Sequence, residues 1–114
     1  SWFVLLAVTA ADEIVGFAKG RRYSEPDLPD YAGELNKIYV LPGWYQRGIG
    51  RRLVVAVAER FREQGIDSMV LFSEPSNVRA GLFFTALGGQ RILGPAGEFH
   101  GAYAWKNLGD SALQ

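Results

Sequence analysis

The chain has no cysteine and a single histidine in 114 residues, which excludes disulfides, thiolate nucleophiles and metal sites built on cysteine or several histidines. It also lacks an excess of either charge. Twelve Lys and Arg balance twelve Asp and Glu, so there is no general electrostatic grip of the kind used on nucleic acid or anionic membranes. Any anion site must be local. No apolar run can cross a bilayer: the opening SWFVLLAVTA is apolar for only about ten residues and has no basic flank of the secretory type. A cytoplasmic protein fits these absences. What the chain does have is 48% hydrophobic residues, enough for the core of one small domain.

Periodicity divides the chain into elements. Trp2 to Thr9 reads as a strand, AADE as a turn, and Ile14 to Ala18 as the second arm of a hairpin. Lys19 to Gly33, polar and carrying two prolines, reads as a long surface loop of the kind that is often functional. ELNKIYVL, from Glu34 to Leu41, predicts a strand with Leu35, Lys37, Tyr39 and Leu41 on one face and Glu34, Asn36, Ile38 and Val40 on the other. After Gly48 the period becomes helical, with Ile49, Leu53, Ala56, Val57 and Phe61 on one side and Gly65 as the stop. SMVLF is a further strand. Ser76 or Asn77 can cap a helix carrying Ala80, Phe83, Phe84 and Leu87, ended by Gly88 and Gly89. QRIL and GAYAWKNL close the chain as two strands around the turn GPAGE, leaving 109–114 as a frayed tail to a single domain of 1–108. The order β-β-β-α-β-α-β-β predicts an α+β fold, a mixed sheet flanked by helices.

The junction YQRGIGRR holds the densest chemical signal. The first N–H groups of a helix lack intrahelical partners and the helix dipole adds positive charge, so a helix start can hold a phosphate. Gly48 and Gly50 would let it approach closely, and Gln46, Arg47, Arg51 and Arg52 would add donors or countercharge. The same residues also suit a plain strand-to-helix turn with solvated arginines. The spacing matches neither a P-loop nor the three-glycine dinucleotide fingerprint.

Three blocks in order, GELNKIYVLPGWYQRGIGRRL, SEPSNVRAGLFFTALGG and GAYAWKNL, resemble the GNAT superfamily of acetyl-CoA-dependent N-acetyltransferases, over about Trp2 to Leu108. The resemblance implies a mostly antiparallel sheet whose two parallel strands splay apart to admit coenzyme A. It implies a diphosphate cradle at Gly48 and Gly50, with Gln46, Arg47, Ile49 and Arg51 in the same loop and helix start, and Tyr45 where Arg or Gln is usual. It places Ile38, Tyr39 and Val40 beside the pantetheine arm and Asn77 near pantetheine or the phosphates, although a plain N-cap accounts for Asn77 equally. The family usually has another strand and one or two helices before the segment matching SWFVLLAV. Their absence would leave the first strand at an open edge, from which a homodimer, or a fragment of a longer protein, is expected.

Acetyl transfer to a primary amine needs a proton acceptor, a polarised thioester and a leaving thiol. A glutamate in this strand is the base in some members, making Glu34 the candidate here, with a solvated edge residue as the alternative; Glu25, Asp27 and Asp30 would attract a cationic acceptor. A backbone N–H near Tyr39 and Val40 would stabilise charge on the carbonyl oxygen. The tyrosine that often protonates the leaving thiolate is Phe84 in this chain, so Tyr103 or water would have to replace it. His100, beside Phe99, reads as surface or packing. Trp44, Tyr45, Trp105 and the Phe83-Phe84 pair read as core or pocket walls rather than a nucleic-acid platform. No metal site is expected. The rival readings are a non-catalytic acyl-CoA-binding or interaction domain and a nucleotide-binding regulatory domain.

Overall fold

Alternation in the opening run decides the first hairpin. A computed structural model describes residues 2–113, and in it strand β1 (Trp2–Val8) turns Phe3, Leu5 and Ala7 toward the core while Trp2, Val4, Leu6 and Val8 stay exposed. It pairs antiparallel with β2 (Ile14–Arg22). β2 runs four residues past the expected end at Ala18, because Lys19 to Arg21 keep pairing on both sides, with β1 and with β3 (Gly33–Val40), and Arg22 still pairs with β3. The polar side chains of this stretch had marked it as loop. They are tolerated because Arg21 and Arg22 reach solvent, whereas Gly20 has no room for a side chain: an added Cβ would stand 2.5 Å from the Phe3 ring.

β3 departs from strict alternation. Lys19 pairs with Lys37 but Gly20 pairs with Leu35, so Asn36 is an extra residue, a bulge. A bulge shifts the two-residue period, and Leu35 therefore joins the core together with Ile38 and Val40. Glu34 faces the other way, onto the side of the sheet where Tyr39 is exposed. The predicted partition of Leu35 with Tyr39, and of Glu34 with Ile38, is corrected by this single inserted residue.

Helix α1 (Ile49–Glu63) buries Leu53, Val54, Val57, Ala58 and Phe61, a stripe at helical spacing that takes Val54 and Ala58 in place of the expected Ala56. Phe61 is fully buried and meets Phe3 edge-on at 5.4 Å. β4 (Met69–Phe72) leads to helix α2 (Val78–Ala86), then β5 (Gln90–Leu93) and β6 (Phe99–Trp105) close the sheet in the order β1-β2-β3-β4-β6-β5. All neighbours are antiparallel except β3 and β4. Residues of both helices join one cluster against Leu35, Met69, Leu71, Tyr103 and Trp105, while Val70, Ala102 and Ala104 form a smaller cluster on the opposite face under Tyr23, Leu28 and Tyr31.

The expected frayed tail is packed instead. Leu108 opens a 3-10 turn (Leu108–Asp110), Ser111 donates to the Leu108 carbonyl, and Leu108 and Leu113 are both buried in the main core; Gln114 lies outside the described residues. Apolar side chains at these two positions outweigh the polar residues around them.

Candidate active site

The parallel pair β3 and β4 meets at only two registers, Gly33 with Met69 and Glu34 with Val70. Beyond them the strands diverge. The Leu41 N–H donates to Val15 of β2, so by alternation the N–H groups of Ile38 and Val40 point away from β2, into the opening. The expectation of a backbone donor near Tyr39 and Val40 is thereby narrowed to Ile38 and Val40. The opening is lined from both faces of the sheet, by Leu71 and Phe84 on the helix-bearing side and by Phe17, Tyr39 and Phe72 on the other. It continues along Ile38, Tyr39 and Val40 into a groove of about 580 Å³ that reaches the start of α1.

That start is open by construction. Gly48 is the N-cap with φ 79° and no side chain to bond the first turn, so the N–H groups of Ile49, Gly50 and Arg51 are left for another acceptor. An added Cβ at Gly48 would meet nothing within 4 Å. The space in front of the helix is the groove itself. Gln46, with φ 63°, takes the same left-handed conformation, rare for a residue with a side chain and costing about 1–3 kcal/mol where it occurs. Gly50 also has a packing reason to be glycine: its Cβ would point at Phe83, 3.1 Å from the ring, so the small residue lets α1 and α2 approach. Tyr45, Gln46, Gly48, Ile49, Gly50 and Arg51 all line the groove. Arg47 does not; its guanidinium lies over the Trp44 ring at 4.7 Å.

From the far wall, α2 contributes Asn77, Arg79, Ala80, Phe83 and Phe84. Asn77 unites its two readings, since Oδ1 accepts from the Ala80 N–H at 3.0 Å as an N-cap while the residue also lines the groove. Phe84 is buried against Phe83 and Tyr103 yet borders both the groove and the passage. Tyr103 is not brought to the site: it is buried behind Phe84 and Phe99, its hydroxyl set against Gly81, and it lines neither space.

Glu34 is buried at 6% exposure on the face away from the helices. Arg21 Nε donates to Oε1 at 2.7 Å and Asn36 Nδ2 to Oε2 at 3.3 Å. The solvated edge is therefore excluded. Glu34 does not itself line the passage, whereas Asn36 does. The hydrogen bond and charge of Glu34 raise the affinity of Arg21 for its proton. Nearby, burial and then a 2.6 Å hydrogen bond to Asp27 push the Tyr23 phenol above its ordinary range, so Tyr23 is neutral at physiological pH. Among the described residues no group of three or more His, Cys, Asp or Glu is placed to hold a metal, and His100 is exposed beside Glu98. Among the described residues no helix is long and apolar enough to cross a membrane.

Trp44, read from the sequence as a core or pocket wall, lines the groove, whereas Arg79 was missed as a groove residue. Trp44 carried a signal, an aromatic directly before the Gly-x-Gly turn. Arg79 carried another, a cation in the first turn of a helix.

A sheet parted at the parallel junction of β3 and β4, with an uncapped helix start at one end of the gap, defines a small α+β domain with an elongated groove that ends on free N–H donors. The model of the acetyltransferase (GNAT) family matches residues 1–88, and the chain belongs to that family. It is 28% identical over 91 residues to a mycothiol acetyltransferase of Renibacterium salmoninarum, an alignment covering 76% of this chain and 27% of that protein, so the chain spans little more than a quarter of that relative's length. Its fold matches a GNAT-family acetyltransferase from Staphylococcus aureus Mu50 with a TM-score of 0.75 at 24% identity, over 94% of this chain and 68% of the other. It also matches the PaiA N-acetyltransferase of Thermoplasma acidophilum, solved in complex with coenzyme A, with a TM-score of 0.72 at 19% identity over 90% and 59%.

Proposed function

We propose that this chain transfers an acetyl group from acetyl-CoA to a primary amine. The observation that carries the reading is the continuous path from the uncapped start of α1, along β3, to the opening lined from both faces of the sheet. Its parts fit the cofactor: free N–H groups at Ile49 to Arg51 suit the pyrophosphate, and the inward N–H groups of Ile38 and Val40 suit the amides of pantetheine. The solved relative with bound coenzyme A supports the same assignment.

In this reading the thioester lies in the gap beside Phe84 and the amine arrives from the helix-free face, between Phe17, Tyr39 and Phe72. An amine of pKa near 10 is almost wholly protonated at neutral pH and must lose a proton before it attacks. Glu34 is the acceptor on that face. Because Asn36 stands between its carboxylate and the passage, the proton travels through water. As negative charge builds on the carbonyl oxygen, an N–H of Ile38 or Val40 stabilises it. The leaving thiol, of pKa about 8.5, departs with its proton supplied by water, since neither Phe84 nor the buried Tyr103 offers one.

The test is a panel of amines assayed for release of free coenzyme A. Amine-dependent release is expected, and it should be lost in Gly48→Asn. Asparagine tolerates the left-handed backbone but fills the space before the helix. A second reading, a non-catalytic acyl-CoA-binding domain, is favoured by the ring of Phe84 where a hydroxyl is usual. Binding of acetyl-CoA without release to any amine would establish it.

A further inference from the structure

Arg79 occupies an energetically unfavourable place. It lies in the first turn of α2, where the helix dipole disfavours a cation, and that turn contains no acidic residue. The side chain is nevertheless held in one place, its guanidinium over the Tyr45 ring at 4.8 Å, so that it spans from α2 to the loop preceding α1. There it forms part of the groove wall opposite Arg51, which is likewise in a first turn without acids. Among the described residues, neither arginine has a carboxylate within 4.0 Å. Two cations that line one groove without counter-ions make it electropositive, and an anionic ligand relieves their mutual repulsion.

A diphosphate does not require both walls. It is served by the N–H groups at the start of α1 and by Arg51. Resting on the acetyl-CoA reading, we propose that Arg79 binds the 3′-phosphate of the coenzyme's ribose, the second anionic group of that ligand. Arg79 thereby selects coenzyme A over its 3′-dephospho form. The planar fork of a guanidinium suits a phosphate monoester, and stacking on Tyr45 fixes its plane in advance, which lowers the entropy lost on binding.

The experiment is titration of coenzyme A and of 3′-dephospho-coenzyme A into the wild-type chain, Arg79→Ala and Arg79→Lys, at low ionic strength, where exposed charge is least screened. Arg79 is exposed, and the melting temperature of each unliganded variant verifies its fold. Wild type is expected to bind coenzyme A about tenfold or more tightly than the dephospho form, the range of one charge-assisted contact. Arg79→Ala should bring the two within about twofold by weakening coenzyme A alone, while Arg79→Lys keeps part of the preference. Equal affinity of wild type for both ligands overturns the assignment and leaves the acetyl-CoA reading standing, as does an equal loss of both in Arg79→Ala. Failure of wild type to bind either ligand overturns both.

Discussion

At the scale of single residues, the site depends on whether a buried carboxylate works as a base or as an anchor. Glu34 has the attributes of an anchor: it is held by Arg21 and Asn36, and Asn36 is the bulged residue that re-aims β3. Glu34→Gln separates the two roles, because glutamine keeps the shape and one acceptor but takes no proton. A base predicts a fall in kcat of about 10²-fold with KM for acetyl-CoA nearly unchanged. An anchor predicts a lower melting temperature, since Arg21 loses its charged partner, with turnover retained. Steady-state kinetics and a melting curve on the same preparation decide between them.

At the scale of elements, the β5–β6 turn carries its own pH sensor. Glu98 Oε2 accepts the Ala96 N–H at 2.9 Å, and the Gly94 N–H bonds the Glu98 carbonyl at 2.8 Å. Backbone hydrogen bonds, to its own N–H first and then to that of Ala96, with His100 adding to them, hold the Glu98 carboxyl below its ordinary 4.5. A carboxyl depressed in the folded state stabilises that state above its unfolded pKa, and the contribution is lost as pH falls through the lower folded value. The melting-temperature difference between wild type and Glu98→Gln should therefore be fully present above the ordinary 4.5 and shrink as pH falls below it. A difference unchanged across that range would show that the carboxylate's charge plays no part in the turn. Elements of this kind were legible in the sequence wherever local chemistry alone decides them. The GPAGE turn, the Gly48 junction and the Asn77 cap all appear where their residue types put them. The strand at Lys19 to Arg22 did not, because only its neighbours show that polar side chains there face water. The bulge at Asn36 is invisible for a related reason: it is set by the register between two strands, and ELNKIYVL alternates as well without it. Arg79 was legible only as an oddity, since its partner Tyr45 is 34 positions away in the chain.

At the scale of the whole molecule, binding should appear as stability. A ligand that binds only the folded chain adds about 2.7 kcal/mol when present at 100 times its Kd, so acetyl-CoA should raise the melting temperature in proportion to the logarithm of its concentration. The stabilisation should also be uneven. The amides of Ile38 and Val40, which face the gap, should exchange with deuterium quickly in the free protein and slowly with acetyl-CoA bound. Unchanged exchange at these two positions, alongside a raised melting temperature, would place the ligand elsewhere in the groove.

The two-residue meeting of β3 and β4 has a mechanical consequence. Among the described residues it is the only strand pairing between two three-stranded units of the sheet, β1-β2-β3 and β4-β6-β5, each fully antiparallel within itself. A sheet joined this way flexes along that pairing as a book flexes along its spine. A ligand whose chain bonds one page and packs against the other then acts as a clasp, and the empty protein should breathe along this line before it unfolds anywhere else.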